Sequence, residues 1–369
     1  MSNEWFKVEN VAEIPSPSLL VYPERVAENL RRVLALTGGP ARLRPHIKTH
    51  KLGEVLRLHL AAGVTQCKAA TIAEAELAAA NGLHDVLLSY QPVGPNVARL
   101  IELIRRFPAT QFRTIVDDAG ALEQLSLAAT KAGVKIPVLL DIDCGMHRTG
   151  IPADEKAAAL YRAIANSPGI IADGLHAYDG HLHIEDLAER TKACDEGMAP
   201  VLALRTKLQA EGLSVPHLVA GGTPSFPIHA KYLDRECSPG TYVFWDFGYG
   251  NRFKDIDMLV AAVLLTRVIS KPGENRLCLD LGHKAVAAEN PHPRVFFPQL
   301  PEATAISQSE EHLVIETPRA NAFAVGDCLY GIPRHICPTV ALHGFVTVIE
   351  NGRAVGKWFV RGRERVLTI

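Results

Sequence analysis

Arg44-Pro45-His46-Ile47-Lys48-Thr49-His50-Lys51 joins a short β-like run, Leu43–Lys48, to a helical pattern that begins near Leu52. This junction places Lys48 at a strand end, where an α/β barrel gathers its chemistry. An amine at such a mouth can hold an aldehyde cofactor as a Schiff base. Arg44, Lys51 and several histidines lie close in sequence. Nearby positive charge favours the neutral, nucleophilic amine. The competing reading is a solvent-facing lysine at a strand end.

From Leu19 to Thr223 the chain alternates β-rich runs with helical patterns. The runs are Leu19–Tyr22, Leu43–Lys48, Gln66–Ala70, Val86–Tyr90, Phe112–Val116, Val138–Asp143, Ile170–Tyr178 and Leu218–Gly221. Val26, Leu30, Val33 and Leu34 share one face of the first intervening helix, and Pro23 suits its first turn. Gly39, Gly63 and Gly133 stand where helices close. This alternation predicts an α/β architecture, a (β/α)8 TIM-like barrel over residues 19–246. No G-x-G-x-x-G follows a strand, which disfavours a dinucleotide-binding sheet. After Asp246 the texture changes. Val260–Ile269, Leu277–Leu281, His312–Thr317, Cys328–Pro333, Val340–Ile349 and Val355–Val360 read as strands, with Asn351-Gly352 as a hairpin turn. Residues 247–369, joined by 1–18, form the expected C-terminal all-β domain.

Bulk composition excludes several function classes. The chain has 369 residues, 47% of them hydrophobic and 21% charged, with a formal net charge of −1. No global field recruits nucleic acid or an anionic membrane. No apolar run reaches roughly 18 residues, and the N-terminus lacks a signal-peptide pattern. The 7 cysteines are odd in number and scattered, which disfavours a disulfide framework and points to a reducing, cytoplasmic compartment.

Five further segments can carry chemistry. Ala220-Gly221-Gly222-Thr223-Pro224-Ser225 follows a strand, and its glycines let backbone N–H groups close on an anion, with a plain turn as the alternative. Ser238-Pro239-Gly240-Thr241-Tyr242 can add donors to the same phosphate. Arg334-His335-Ile336-Cys337-Pro338, read as a strand, puts imidazole and thiol on one face. That pair suits a borderline-soft ion such as Zn²⁺, and a buried thiol beside a satisfied histidine is the bland alternative. Leu175–His183 brings Tyr178 and three histidines to a strand end, where a general base could stand. Asp141–Gly150 adds Arg148 as a contact for cofactor or carboxylate, while Asp143 can cap its own loop.

Together these segments resemble the family that joins D-threonine aldolases with eukaryotic-type D-serine dehydratases, fold-type III pyridoxal phosphate enzymes with an alanine racemase-like barrel. The resemblance rests on Arg44–Lys51, Asp141–Ile151, Tyr178–His181, Ala220–Phe226, Leu279–Lys284 and Arg334–Val340. It implies pyridoxal 5′-phosphate bound at Lys48, with Arg148, Tyr178, Gly221, Gly222, Thr223, Gly240, Thr241 and Tyr242 around it. It implies His335 and Cys337 as ligands of a divalent metal (Zn, Mn or Mg) and His181 as the base for a substrate hydroxyl. Within the family, aldolases tend to place an aspartate two residues after the metal histidine and dehydratases a cysteine. Cys337 departs from the aldolase pattern.

The expected activity is retro-aldol cleavage of a small D-β-hydroxy-α-amino acid to glycine and an aldehyde, and the alternative is elimination to a 2-oxo acid and ammonia. An amino-acid racemase would use the same lysine without a metal. A non-catalytic cofactor carrier would resemble the barrel alone. The family further implies a homodimer, and the near-zero net charge speaks against a nucleic-acid or membrane partner.

Overall fold

The computed structural model describes residues 4–369, which divide into two compact units. One comprises residues Val33–Lys48, Gly53–Gly240 and Gly362–Ile369; the other comprises the chain up to Arg32, Thr49–Leu52 and Thr241–Arg361.

The first strand, β1 (Ser18–Val21), belongs to the second unit. It pairs antiparallel with β9 (Ala262–Gly273) and parallel with β15 (Phe345–Glu350). The expectation that Leu19–Tyr22 opens the barrel is therefore corrected. Its residues are all buried, a pattern shared by barrel strands and by central strands of a mixed sheet.

The barrel unit contains a parallel sheet of β2 (Gln66–Ala69), β3 (Asp85–Leu88), β4 (Gln111–Val116), β5 (Ile136–Ile142), β6 (Ile170–Ala177), β7 (His217–Ala220) and β8 (Glu236–Cys237), in that spatial order. Leu43–His46 completes the ring: Leu43 bridges Cys237 and His46 bridges Lys68, both in parallel. The two-residue β8 carries too little apolar signal to be read from sequence. Helices α1 (Pro23–Thr37), α2 (Gly53–Ala61), α3 (Ile72–Ala80), α4 (Pro95–Arg106), α5 (Ala119–Ala132), α6 (Glu155–Asn166), α7 (Leu187–Ala210) and the short α8 (Phe226–His229) alternate with these strands. Thr71, Asp118, Asp154 and Asp186 cap the N-termini of α3, α5, α6 and α7 by accepting backbone N–H groups. Val86, Leu88, Val138 and Leu140 pack outward with helix residues such as Leu100 and Leu125.

Alternate strand residues face inward and form layers. Arg44, Asp85, Arg113, Asp173 and Glu236 make a charged layer toward the strand N-termini. Leu87, Ile115, Leu139 and Val219 form an apolar layer. His46, Lys68, Asp141 and His176 line the cavity beyond it. A bulge in β6 moves the partner of Leu139 to Gly174. Gly174 has φ +127°, and a Cβ there would meet the His217 carbonyl, so only glycine fits.

The second unit's sheet also holds β10 (Arg276–Leu279), β11 (Val295–Phe296), β12 (Thr304–Gln308), β13 (Leu313–Glu316), β14 (Cys328–Pro333) and β16 (Arg353–Phe359). Asn351 and Gly352, both at positive φ, turn β15 into β16 as the sequence predicts. This unit carries α9 (Phe247–Arg252) and α10 (Ile336–Leu342) as well. The run Val340–Ile349 thus starts in the last turn of α10 and becomes strand only from Phe345.

Candidate active site

Lys48 lies in a single 3-10 turn, Ile47–Thr49, and its side chain is half-buried rather than free at the surface. It lines a cavity of about 510 Å³ within the barrel unit, shared with Lys68, Arg148, His176 and Tyr178. That volume suits a small cofactor. Three cations surround one phenol ring: Lys48 Nζ, Lys68 Nζ and the Arg148 guanidinium carbon lie 5.7, 5.3 and 5.1 Å from the Tyr178 centroid.

Sequence reading missed Lys68, whose only trace was a lysine inside the run Gln66–Ala70. It is 2% exposed, and Nζ lies 3.4 Å from His176 Nε2. His176 Nδ1 in turn meets Asp141 Oδ1 at 2.6 Å. Burial, reinforced by the charge of Lys48, lowers the Lys68 amine to about 7. Burial also holds His176 below its usual value despite Asp141, and it pushes His46 down further with help from both lysines. The cavity therefore holds imidazoles poised neutral and a second amine that is partly neutral at physiological pH.

Arg44 adds only a minor lowering effect on Lys68, less than the sequence suggests, because it sits in the charged layer rather than at the cavity. It is 1% exposed and bonds Asp85 at 2.8 and 3.2 Å and Glu236 at 2.6 Å. Its charge is neutralised in the layer at the far end of the barrel.

The Gly221–Thr223 loop follows β7. Gly221, at φ +81°, would bring a Cβ within 2.5 Å of the His229 ring, and a Cβ on Gly222 would lie 3.0 Å from the Tyr178 ring. Its N–H groups are not all open to an anion, as the sequence suggested. Gly221 donates to Ala177 O, and Gly222 donates to Ser225 Oγ. Gly240 N–H donates to Thr223 Oγ1 at 3.1 Å, which ties the two phosphate-loop candidates together. Under the loop, Asp179 accepts from Ser225 Oγ at 2.5 Å and His229 Nε2 at 2.7 Å. Although burial opposes ionisation, these donors keep its carboxyl below the usual range.

Cys194 joins Asp179 and His229 in a group of metal-ligating types, but the protonation pattern argues against an ion there. Arg235 Nη1 donates to His229 Nδ1 at 3.1 Å, which fixes the proton on Nε2, facing Asp179. A metal would need the Nε2 lone pair and would sit beside a permanent cation. The group is a hydrogen-bonded prop for the glycine loop.

His181 is exposed at the end of β6, three residues after Tyr178. Its ring lies against Gly145, where a Cβ would come within 2.8 Å of Nε2. Asp143 caps that loop as expected, accepting from Gly145 and His147 N–H at 3.0 Å each.

In the second unit His335 is the N-cap residue of α10 and Cys337 lies in its first turn, so the strand expectation for this pair is corrected. Ring and thiol still meet. Burial opposes protonation of His335, but hydrogen bonds to Cys337 and Glu289 raise it to about 9. Thr49 Oγ1 lies 3.1 Å and Thr241 Oγ1 3.6 Å from Cys337 Sγ. Thr241 thus faces the thiol, and Tyr242 is fully buried. Buried Asp246, raised to about 6 by desolvation, accepts Ile336 N–H at 3.0 Å and fixes the start of α10.

The family model for the alanine racemase N-terminal domain matches residues 21–246, and a serine dehydratase domain model matches residues 261–349. The chain belongs to the alanine racemase N-terminal domain family. Among curated relatives, D-threonine aldolase of Arthrobacter sp is 30% identical, covering 96% of this chain and 94% of that one. D-threo-3-hydroxyaspartate dehydratase of Delftia sp. (strain HT23) is 25% identical, covering 95% and 98%. The crystal structure of D-threonine aldolase from Filomicrobium marinum superposes with a TM-score of 0.89 at 25% identity, over 96% and 97%. The alanine racemase-like fold with its second, mixed-sheet unit is therefore plain, and the family works with pyridoxal phosphate. The cavity fits such a group: its cations answer a phosphate and a phenolate.

Proposed function

We propose that this chain is a pyridoxal phosphate- and divalent metal-dependent lyase cleaving D-threonine-like β-hydroxy-α-amino acids to glycine and an aldehyde. Lys48 is the amine that holds the cofactor aldehyde, and Lys68 and Arg148 balance its negative charge. Thr223, beside the Gly221-Gly222 turn, holds the phosphate end, with Gly240 fixing its hydroxyl. When bound, the cofactor supplies an electron sink for negative charge at the substrate Cα. His335 and Cys337 hold the divalent ion, which supplies Lewis acidity toward a hydroxyl. A thiol ligand favours Zn²⁺ over Mn²⁺ or Mg²⁺. None of the seven cysteines forms a disulfide, which fits a reducing, cytoplasmic setting, and we take the enzyme to act as a homodimer.

The observation that carries the aldolase reading is His181, an exposed imidazole on the strand-end segment that supplies Tyr178, seated against a glycine that leaves room for it. It accepts the proton of the substrate β-hydroxyl. His181→Ala is expected to lower retro-aldol turnover by roughly 10²–10⁴-fold while the cofactor absorbance stays. Turnover near that of the parent would remove this role.

Cys337 favours the second reading, a dehydratase in which Lys48 takes the Cα proton and the hydroxyl leaves as water. Product analysis with D-threonine, D-serine and D-threo-3-hydroxyaspartate, with and without chelator, decides between them. Glycine plus an aldehyde, lost on chelation, is expected. A 2-oxo acid plus ammonia would establish the dehydratase instead.

A further inference from the structure

Glu289 lies outside every motif read from the sequence, yet its carboxylate meets His335 Nδ1 at 2.5 Å. An ionised carboxylate can only accept, so the contact puts the imidazole proton on Nδ1. Nε2 is then the nitrogen left for an ion, which binds there in place of the second ring proton. The contact is built into the fold. Thr339 Oγ1 donates to the His335 carbonyl at 2.8 Å and accepts Ala287 N–H at 3.1 Å, joining α10 to the segment carrying Glu289. Asn290 Nδ2 donates to Glu289 Oε1 at 2.9 Å. Arg294 Nε donates to Asn290 O at 2.7 Å, and Arg334 N–H to Arg294 O at 2.8 Å. The loop Ala287–Arg294 is thus tied to the start of α10 on both sides of the carboxylate.

We propose that Glu289 is a positioning residue: by holding His335 Nδ1 it selects Nε2 as the metal-binding nitrogen and presets the ring beside Cys337. The inference rests on the reading of His335 and Cys337 as metal ligands. A carboxylate on the distal nitrogen of a ligating histidine fixes its tautomer and raises its basicity, and losing one costs about 10–100-fold in metal affinity. Glu289 is half-exposed, so replacing it disturbs little packing.

The test titrates Co²⁺ into chelator-treated, cofactor-loaded enzyme and reads the thiolate-to-cobalt charge-transfer absorption. Glu289→Ala is expected to need about 10–100-fold more Co²⁺ for half-saturation, reaching the same final spectrum with the cofactor band unchanged. Glu289→Gln is expected to fall between parent and alanine variant, because its amide oxygen still accepts the Nδ1 proton. His335→Ala is expected to give no charge-transfer band. Parental affinity in Glu289→Ala, or no recovery in Glu289→Gln, overturns the inference while His335→Ala still reports on the ligand pair. Parental binding by His335→Ala would instead overturn the metal reading beneath it.

Discussion

Lys48→Ala loses the near-visible band of the lysine-bound cofactor, and its turnover falls on the order of 10⁴–10⁶-fold, the scale seen when one member of a covalent catalytic unit is removed. The experiment is sharper here than in most lysine-dependent sites, because Lys68 shares the cavity. Lys68 is the more deeply buried of the two, and its lowered pKa makes it a competent nucleophile near neutrality. Its amine is nevertheless engaged with His176, whereas Lys48 stands in the turn after the strand. Lys68→Met should therefore keep the band, though with weaker cofactor binding. Borohydride reduction followed by peptide mapping identifies the labelled lysine directly. A label on Lys68, or a band retained in Lys48→Ala, would refute the assignment.

Arg44→Ala is expected to destabilise the protein by about 3–5 kcal/mol, measured by urea unfolding at neutral pH. Asp85 keeps only Arg113, and Glu236 keeps only His217. Two carboxylates are then left short of charge in a buried layer. In the parent, burial opposes their ionisation, but Arg44 outweighs it and holds both below their usual values. A depressed carboxyl contributes stability present above its unfolded value, near 4, and lost as pH falls through the folded value. Without Arg44, burial is opposed chiefly by Arg113 at Asp85 and by His217 at Glu236, and both values rise. The gap between parent and variant should accordingly be widest near pH 7 and narrow toward pH 4. A gap that stays constant across that range would show that lost packing, not stranded charge, sets the cost.

The sequence made the barrel visible through its apolar runs but not through their sidedness. Val86 and Leu88 face helices while Leu87 faces inward, and three adjacent apolar residues cannot reveal that alternation. Inward polar residues such as Lys68 and Arg113 read as interruptions, although they furnish the cavity and the charged layer. The strand Glu236–Cys237 is too short to show any period, whereas the apolar run Leu19–Tyr22 mimics a barrel strand. Single residues with distinctive chemistry fared better: Lys48, Arg148 and Tyr178 meet at one cavity, and His335 meets Cys337. The helix at Ile336 was masked by Pro338 and by β-branched Thr339 and Val340, which favour a strand reading. Glu289 and His229 could not be found at all, because their roles exist only through partners about 46 and 50 residues away.

The octet that carries Lys48 is divided between the two units, with Lys48 closing one segment and Thr49–Leu52 belonging to the other. The polypeptide switches units five times in all along its length, counting the changes after Arg32, Lys48, Leu52, Gly240 and Arg361. No single cut in the gene releases a self-sufficient barrel. Chimaeras with related enzymes must exchange interleaved segments together, and a crossover placed between Lys48 and Thr49 would join Lys48 to a foreign neighbour.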